Sequence, residues 1–128
     1  MSTSPYEIES FLPRAQRIEE DCAHTTLAMY LQLGYEEVVR EAPELRGGLT
    51  IGQFKRTAEK LGVKLTVLRR VPDLEDFTGV LWLRTYANSF RHTVLCFQGV
   101  ICDPATGLVW DRETYLKKTK YKVERVLV

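Results

Sequence analysis

Cysteine and histidine are both scarce in this sequence, which has three cysteines and two histidines among 128 residues. The cysteines, Cys22, Cys96 and Cys102, are odd in number and lack a disulfide-rich spacing, which argues against a disulfide framework. No two of them have the C-x-x-C spacing of a structural zinc site. The cysteines are therefore expected to be free thiols in a reducing compartment, and the expected location is the cytoplasm.

An excess of charge of one sign is also missing. Lysine and arginine together number 18, against 17 acidic residues, and the signs are interleaved, unlike a nucleic-acid-binding stripe. No apolar stretch is long enough to span a bilayer, and the first residues lack the basic patch and apolar run of a secretory signal peptide. The sequence predicts neither a nucleic-acid partner nor a membrane segment.

The sequence does contain enough apolar residues for one compact domain. Hydrophobic residues make up 45% of the chain, which suits a single domain over residues 1–128. Residues 1–15 mix polar residues with prolines and show no sustained period. They are expected to form an extended lead-in to this domain.

Helical patterns fill the first half of the chain. Apolar residues from Asp21 towards Gly34 share one face, which predicts a helix of about a dozen residues. A shorter helix is predicted over residues 35–42. Thr50 and Gln53 have the spacing of a capping box at the start of a third helix.

Strand patterns follow the third helix. Short runs rich in β-branched and aromatic residues predict antiparallel strands, at residues 63–68, 79–83, 93–97 and 100–102. Residues 111–117 predict a short helix, and residues 121–128 predict a closing strand. Because helices come first and strands afterwards, the sequence predicts an α+β fold with N-terminal helices on an antiparallel sheet.

Cys22 lies at the predicted start of the first helix. Unpaired backbone N–H groups and the helix dipole stabilise negative charge there, so a thiol at this position ionises more readily. An ionised cysteine is the nucleophilic form. Cys22 is therefore the candidate nucleophile, although a cysteine beside an apolar helix face is more often a buried small residue.

Two histidines are available as a base. His24 follows Cys22 by two residues on the same helix, and residues at that spacing project to different faces, so His24 is expected at the surface or near the helix cap. His92 lies at the entrance to the strand predicted over residues 93–97, where a rigid element can hold an imidazole beside a cleft. His92 is therefore the candidate base.

A predicted hairpin brings Asp103 to His92. If residues 98–99 form a two-residue turn, Val94 lies opposite Asp103. Side chains alternate along a strand, so His92 and Val94 share a face, and Asp103 lies on that face diagonally from His92. A carboxylate there fixes the tautomer of the imidazole. The combination predicts a catalytic triad with Cys22 and hence a cysteine hydrolase.

The same hairpin register argues against a metal site. It sends Cys96 and Cys102 to opposite faces, and His92 with Cys96 supplies only part of a coordination shell. The sequence therefore predicts no metal and no other cofactor.

Two segments resemble known motifs. The sequence QRIEEDCAHTTLAM from Gln16 to Met29 resembles the opening motif of the papain-like peptidase domains that cut double-glycine leaders from bacteriocin precursors. In that motif a glutamine precedes an Asp-Cys pair, and the cysteine opens a helix. Residues 92–95 and 101–107 are similar to the family's histidine strand and Asp-Pro turn. The resemblance extends to about Trp110.

This resemblance implies a papain-like fold with the nucleophile at the start of the first helix. It also implies that Gln16 donates its side-chain amide to an oxyanion hole, together with the backbone N–H of Cys22. The expected partner is a peptide or protein substrate, and the expected source is a bacterium or phage.

The substrate and the exact reaction are left more open. Tyr86, Asn88 and Phe90, in the loop before the histidine, are expected to contact the substrate because binding residues favour loops on rigid elements. The same scaffold serves deamidases and transglutaminase-like acyl transferases, and an inactive relative could bind a peptide in the same cleft. The prediction is a cysteine peptidase, with these alternatives beside it and no assigned oligomeric state.

Overall fold

The structure, a computed structural model, describes residues 22–42, 49–84 and 91–128. The elements of these ranges are α1 (Cys22–Leu31), α2 (Tyr35–Glu41), α3 (Ile51–Lys60), β1 (Gly79–Arg84), β2 (Arg91–Phe97), β3 (Val100–Asp103), β4 (Leu108–Asp111), α4 (Arg112–Thr119) and β5 (Lys122–Leu127). The strands form an antiparallel sheet in the order β4-β3-β2-β1-β5. The predicted α+β fold is confirmed, whereas the lead-in predicted over residues 1–15 lies outside the described residues.

Helix α1 is the central helix of the fold. Its residues 23–29 are all buried, because the helix packs against β1 and β2 as well as α2 and α3. The prediction that His24 lies at the surface is wrong, since packing on several sides leaves His24 only 8% exposed. Asp21, where the predicted helix began, lies outside the described residues. No helix of the described ranges has the length and apolar content needed to cross a membrane.

The predicted capping box is present at the start of α3. The Thr50 hydroxyl accepts from the Gln53 amide at 3.2 Å, and the Gln53 side chain accepts from the Thr50 amide at 2.9 Å. These bonds satisfy two backbone donors at the helix end that would otherwise have no partner. The box fixes where α3 begins and so directs its apolar face, with Phe54 and Ala58, towards the sheet.

Both faces of the sheet are covered. On one face, Val80 and Trp82 join the core formed with the first three helices, and the Phe54 and Trp82 rings meet edge to face at 5.4 Å. On the opposite face, Leu81 and Val94 belong to a second core that includes Tyr115 of α4. Alternation along the strands therefore divides the apolar residues between two cores.

At the sheet margins one sequence prediction is wrong and one strand was missed. Residues 63–68 were expected to form a strand, but only Val67 makes a bridge, to Leu127 of β5. Thr66 exchanges two backbone hydrogen bonds with Val128 at 2.7 and 3.0 Å, and the Leu68 amide donates to the Val126 carbonyl at 2.9 Å. The pairing therefore covers only the last three of the six residues. Strand β4 was not predicted, because most of its residues are exposed and lack the apolar alternation of a half-buried strand.

The hairpin that joins β2 to β3 has the predicted register. Leu95 pairs with Cys102, and Phe97 pairs with Val100. The turn residues Gln98 and Gly99 have φ values of 47° and 81°, so both adopt the left-handed backbone of a type I′ turn. Gly99 also lies so close to the loop before β1 that a Cβ atom would collide with the backbone of Glu75.

Replacing Gly99 with alanine is expected to lower the free energy of unfolding by about 2 to 4 kcal/mol. The left-handed backbone disfavours a side chain, and the collision with Glu75 forces a further backbone shift. Urea denaturation measures the change. Gly62→Ala is the matched control, because Gly62 has a φ of 97° but open space around it. An equal loss in the two variants would show that the close approach to Glu75 contributes nothing.

Candidate active site

The first turns of α1 lie against an edge of β2. Strand β1 pairs along β2 over residues 91–96, but the described pairs with β3 cover only residues 95–97. Thr93 lies beyond these pairs, and its carbonyl accepts a hydrogen bond of 3.0 Å from the Thr26 hydroxyl. At this point α1 occupies the place of a neighbouring strand.

Cys22 lies one helical turn before Thr26 and makes a complementary contact. Residues four apart share a helix face, and hydrogen bonding to His92 and to the backbone and side chain of Thr93 lowers the pKa of the Cys22 thiol. Cys22 and Thr26 thus both lie beside Thr93 of β2. This arrangement fixes the sulfur beside the strand that carries the histidine.

The imidazole of His92 lies between Cys22 and Asp103. Its Nε2 is 2.7 Å from Oδ1 of Asp103, and both side chains are buried. With Nε2 engaged by the carboxylate, Nδ1 is the nitrogen left for the hydrogen bond to Cys22. The contact between His92 and Asp103 that the hairpin register predicted is confirmed.

Asp103 is held by two further donors. The Ala105 amide donates to Oδ1 at 2.9 Å, and the Tyr115 hydroxyl donates to Oδ2 at 2.9 Å. Burial is the largest influence on the pKa of Asp103 and raises it, but the hydrogen bond and charge of His92, with the other two donors, outweigh burial. The pKa therefore lies below its ordinary value, and Asp103 is a fixed negative charge beside the imidazole.

Cys22 and His92 favour each other's charged forms. Burial, the largest influence on Cys22, raises the thiol pKa, yet the hydrogen bond and charge of His92 together with Thr93 lower it below its ordinary value. For His92, burial lowers the pKa, but Asp103 and Cys22 together raise it to about 9. Between the two pKa values the favoured state is a thiolate beside an imidazolium.

Tyr115 and Tyr121 complete the surroundings of the histidine, and sequence reasoning missed both. The Tyr121 ring meets the rings of His92 and Tyr115 edge to face, each at 5.9 Å. Burial and the charge of Asp103 raise the pKa of Tyr115, so its hydroxyl stays protonated and donates a hydrogen bond to Asp103. A buried aromatic residue on a short helix is typical of core packing, and the sequence position of Tyr115 gave no sign that it reaches Asp103.

The structure brings Cys22, His92 and Asp103 together from three elements. The other predicted site residues lie outside the described residues: Gln16, Tyr86, Asn88 and Phe90. Cys96 and Cys102 belong to different apolar clusters, as the hairpin register predicted. In the described ranges, no three His, Cys, Asp or Glu side chains are grouped so that they could hold a metal ion.

Several solved peptidase structures share this architecture. One is a double glycine motif protease from an AMS/PCAT transporter in complex with the leader peptide, with a TM-score of 0.68 and 21% identity over 94% of this chain and 91% of that chain. The chain has the fold of a double-glycine peptidase domain. No family model and no curated protein matches the sequence.

Two further similar structures are peptidase domains of ComA. One is from Streptococcus ComA, a bifunctional ABC transporter involved in a quorum sensing pathway, with a TM-score of 0.67 and 14% identity over 90% of this chain and 94% of that chain. The other is from Streptococcus mutans ComA, with a TM-score of 0.68 and 14% identity over 92% of this chain and 98% of that chain. At these identities the comparison establishes the fold, and the predicted resemblance is confirmed at that level.

Proposed function

We propose that this protein is a cysteine peptidase with Cys22 as nucleophile, His92 as general acid and base, and Asp103 as the residue that orients the imidazole. The observation that carries the proposal is the buried contact of 2.7 Å between His92 and Asp103, next to a thiol whose pKa His92 lowers. A lowered thiol pKa supplies the nucleophilic form at neutral pH.

The first half of the reaction forms an acyl-enzyme. The Cys22 thiolate attacks the carbonyl carbon of the scissile peptide bond, and negative charge moves to the carbonyl oxygen. The backbone N–H of Cys22 and the side-chain amide of Gln16 are proposed to stabilise that oxygen. The C–N bond then breaks as His92 gives its proton to the leaving nitrogen, and a thioester to Cys22 remains.

The second half restores the enzyme. Neutral His92 accepts a proton from water, whose oxygen attacks the thioester carbon. The C–S bond breaks, the new C-terminal acid leaves, and the thiolate and imidazolium form again. Asp103 keeps one ring orientation throughout, so the same ring nitrogen gives and accepts the proton.

The proposed substrate is a polypeptide. One structure with this fold is a double glycine motif protease in complex with the leader peptide, so we extend a peptide substrate, and as a first candidate one with a double-glycine motif, to this chain. Tyr86, Asn88 and Phe90 remain the residues proposed to contact it. The compared structures are peptidases, and none supports the deamidase or acyl-transferase alternatives.

The test is to incubate the protein with a library of peptides that carry an internal Gly-Gly pair between varied flanking sequences. Cleavage products, whose summed mass exceeds that of the intact peptide by one water, are expected with the wild type and absent with Cys22→Ala. Cys96→Ala is the matched control, since burial raises the pKa of Cys96 to about 11 and its loss leaves the nucleophile in place. Identical spectra from wild type and Cys22→Ala would refute the proposal, and released ammonia with an intact chain would indicate a deamidase.

A further inference from the structure

A groove of about 420 Å³ opens between the end of α4 and the start of β5. Its lining residues are Leu116, Lys117, Lys120, Tyr121 and Lys122. Leu116 and Tyr121 give it an apolar part, and the three lysines are exposed. The groove therefore combines hydrocarbon surface with a concentration of positive charge.

In the described part of the chain, no acidic side chain pairs with the lysines of this groove. No acidic side chain lines it, and none of its three lysines forms an ion pair with a residue in the described ranges. The nearby Glu124 already pairs with Arg84 at 3.9 Å. Lys118, the other lysine of this helix end, is placed over the Trp110 ring, 5.3 Å from its centroid.

The helix end explains only part of this arrangement. Lysine in the last turn favours the negative end of the helix dipole, which accounts for Lys117. Lys122 is on β5 and gains nothing from that dipole. Lys120 has a φ of 61°, a left-handed backbone that glycine or asparagine adopts at lower cost. A lysine there adds charge at a conformational cost.

The groove adjoins the candidate active site through Tyr121. This residue lines the groove and also meets the His92 ring at 5.9 Å. Tyr121 therefore separates the groove from the His92 ring and contacts both.

We propose that this groove binds an acidic stretch of polypeptide, with carboxylates on Lys117, Lys120 and Lys122 and the aliphatic stems of the same stretch on Leu116 and Tyr121. As a recognition site for the substrate, it rests on the proposed peptidase function. Its ability to bind an acidic peptide does not depend on the proposed peptidase function, because the groove needs no reactive thiol for binding.

Binding is tested with the whole chain carrying Cys22→Ala, so that cleavage plays no part. The probes are fluorescein-labelled octaglutamate and octaglutamine, and fluorescence anisotropy at low ionic strength measures their Kd. Octaglutamate is expected to bind more tightly, and added salt should weaken it because the lysines are exposed to solvent. Adding the groove substitutions Lys117→Gln, Lys120→Gly and Lys122→Gln should raise the Kd about tenfold or more.

The control removes the same charge elsewhere. Lys55→Gln, Lys60→Gln and Lys64→Gln leave the groove intact and should change the Kd by about twofold or less. Lys120→Gly suits its left-handed backbone, and thermal unfolding checks that both variants fold. Equal effects of the two variants, or equal binding of the two peptides, would overturn the proposal. Tighter binding of an octathymidine oligonucleotide than of octaglutamate would instead assign the groove to nucleic acid.

If the groove binds octaglutamate but the peptide library gives no cleavage, the peptidase proposal fails and the groove proposal stands. If cleavage occurs and octaglutamate binds no more tightly than octaglutamine, the groove proposal fails and the peptidase stands.

Discussion

Iodoacetamide at mildly acidic pH is expected to modify Cys22 in the wild-type protein at least about ten times faster than in His92→Gln. The hydrogen bond and charge of His92 are the main influences that lower the Cys22 pKa, and burial then raises it once they are removed. The thiolate exists above the pKa of Cys22, so a higher pKa moves the onset of labelling to higher pH. Peptide mapping by mass spectrometry, over a pH series, gives the rate at each cysteine.

The other cysteines and the other histidine supply the controls. Cys96 and Cys102 are buried, and the Cys96 pKa is raised to about 11, so labelling of both in the folded protein should be slow throughout. His24→Gln removes the histidine nearest to Cys22 in sequence and should leave the pH profile of Cys22 unchanged. Fast labelling of Cys22 at mildly acidic pH in His92→Gln would show that His92 does not ionise the thiol.

Asp103→Asn is expected to reduce kcat/KM for a cleaved library peptide by about 10²- to 10⁴-fold. Burial lowers the pKa of His92, but the carboxylate and Cys22 together raise it to about 9. Without its charge, the His92 pKa falls, and less imidazolium remains at neutral pH to favour the thiolate. An asparagine can also present an N–H to the ring, which favours the wrong tautomer.

The sign of the pH change distinguishes this effect from general damage. Loss of imidazolium weakens the stabilisation of the thiolate, so the acid limb of the kcat/KM profile should move to higher pH in Asp103→Asn. Tyr115→Phe removes one hydrogen bond but keeps the carboxylate charge, so it should lower kcat/KM by about tenfold or less without moving the acid limb to higher pH. Asp111→Asn is the control, because Asp111 caps α4 and asparagine caps as well as aspartate. A uniform loss with an unmoved acid limb would contradict an electrostatic role for Asp103.

The contact between His92 and Asp103 could be predicted because it depends on local rules. A two-residue turn fixes the register of a hairpin, and alternation then fixes which side chains share a face. Residues 98–99 carried that signal, with a glycine at a left-handed position. The capping box of Thr50 and Gln53 was predictable for the same reason, since both partners lie within one helical turn.

Features that depend on distant packing could not be predicted. Tyr115 reaches Asp103 only because α4 packs on the sheet, and Thr26 reaches the Thr93 carbonyl across 67 positions of sequence. Residues 63–68 carry the composition of a strand, yet their neighbours in space allow only one bridge. Burial of His24 likewise follows from surrounding elements. The periodicity of apolar residues indicates which face of a helix or strand is buried, but it does not indicate which other elements pack against that face.

The docking of α1 on the edge of β2 makes the acidity of Cys22 a property of the assembled molecule. In a denatured chain the sulfur is far from the imidazole, and its ionisation returns to that of an ordinary cysteine. A chain still emerging from the ribosome, with α1 made and β2 not yet made, carries a thiol of ordinary acidity. The lowered pKa of Cys22 therefore arises only once α1, β2 and β3 have packed together. The rate of alkylation at mildly acidic pH then also reports whether the chain has folded correctly.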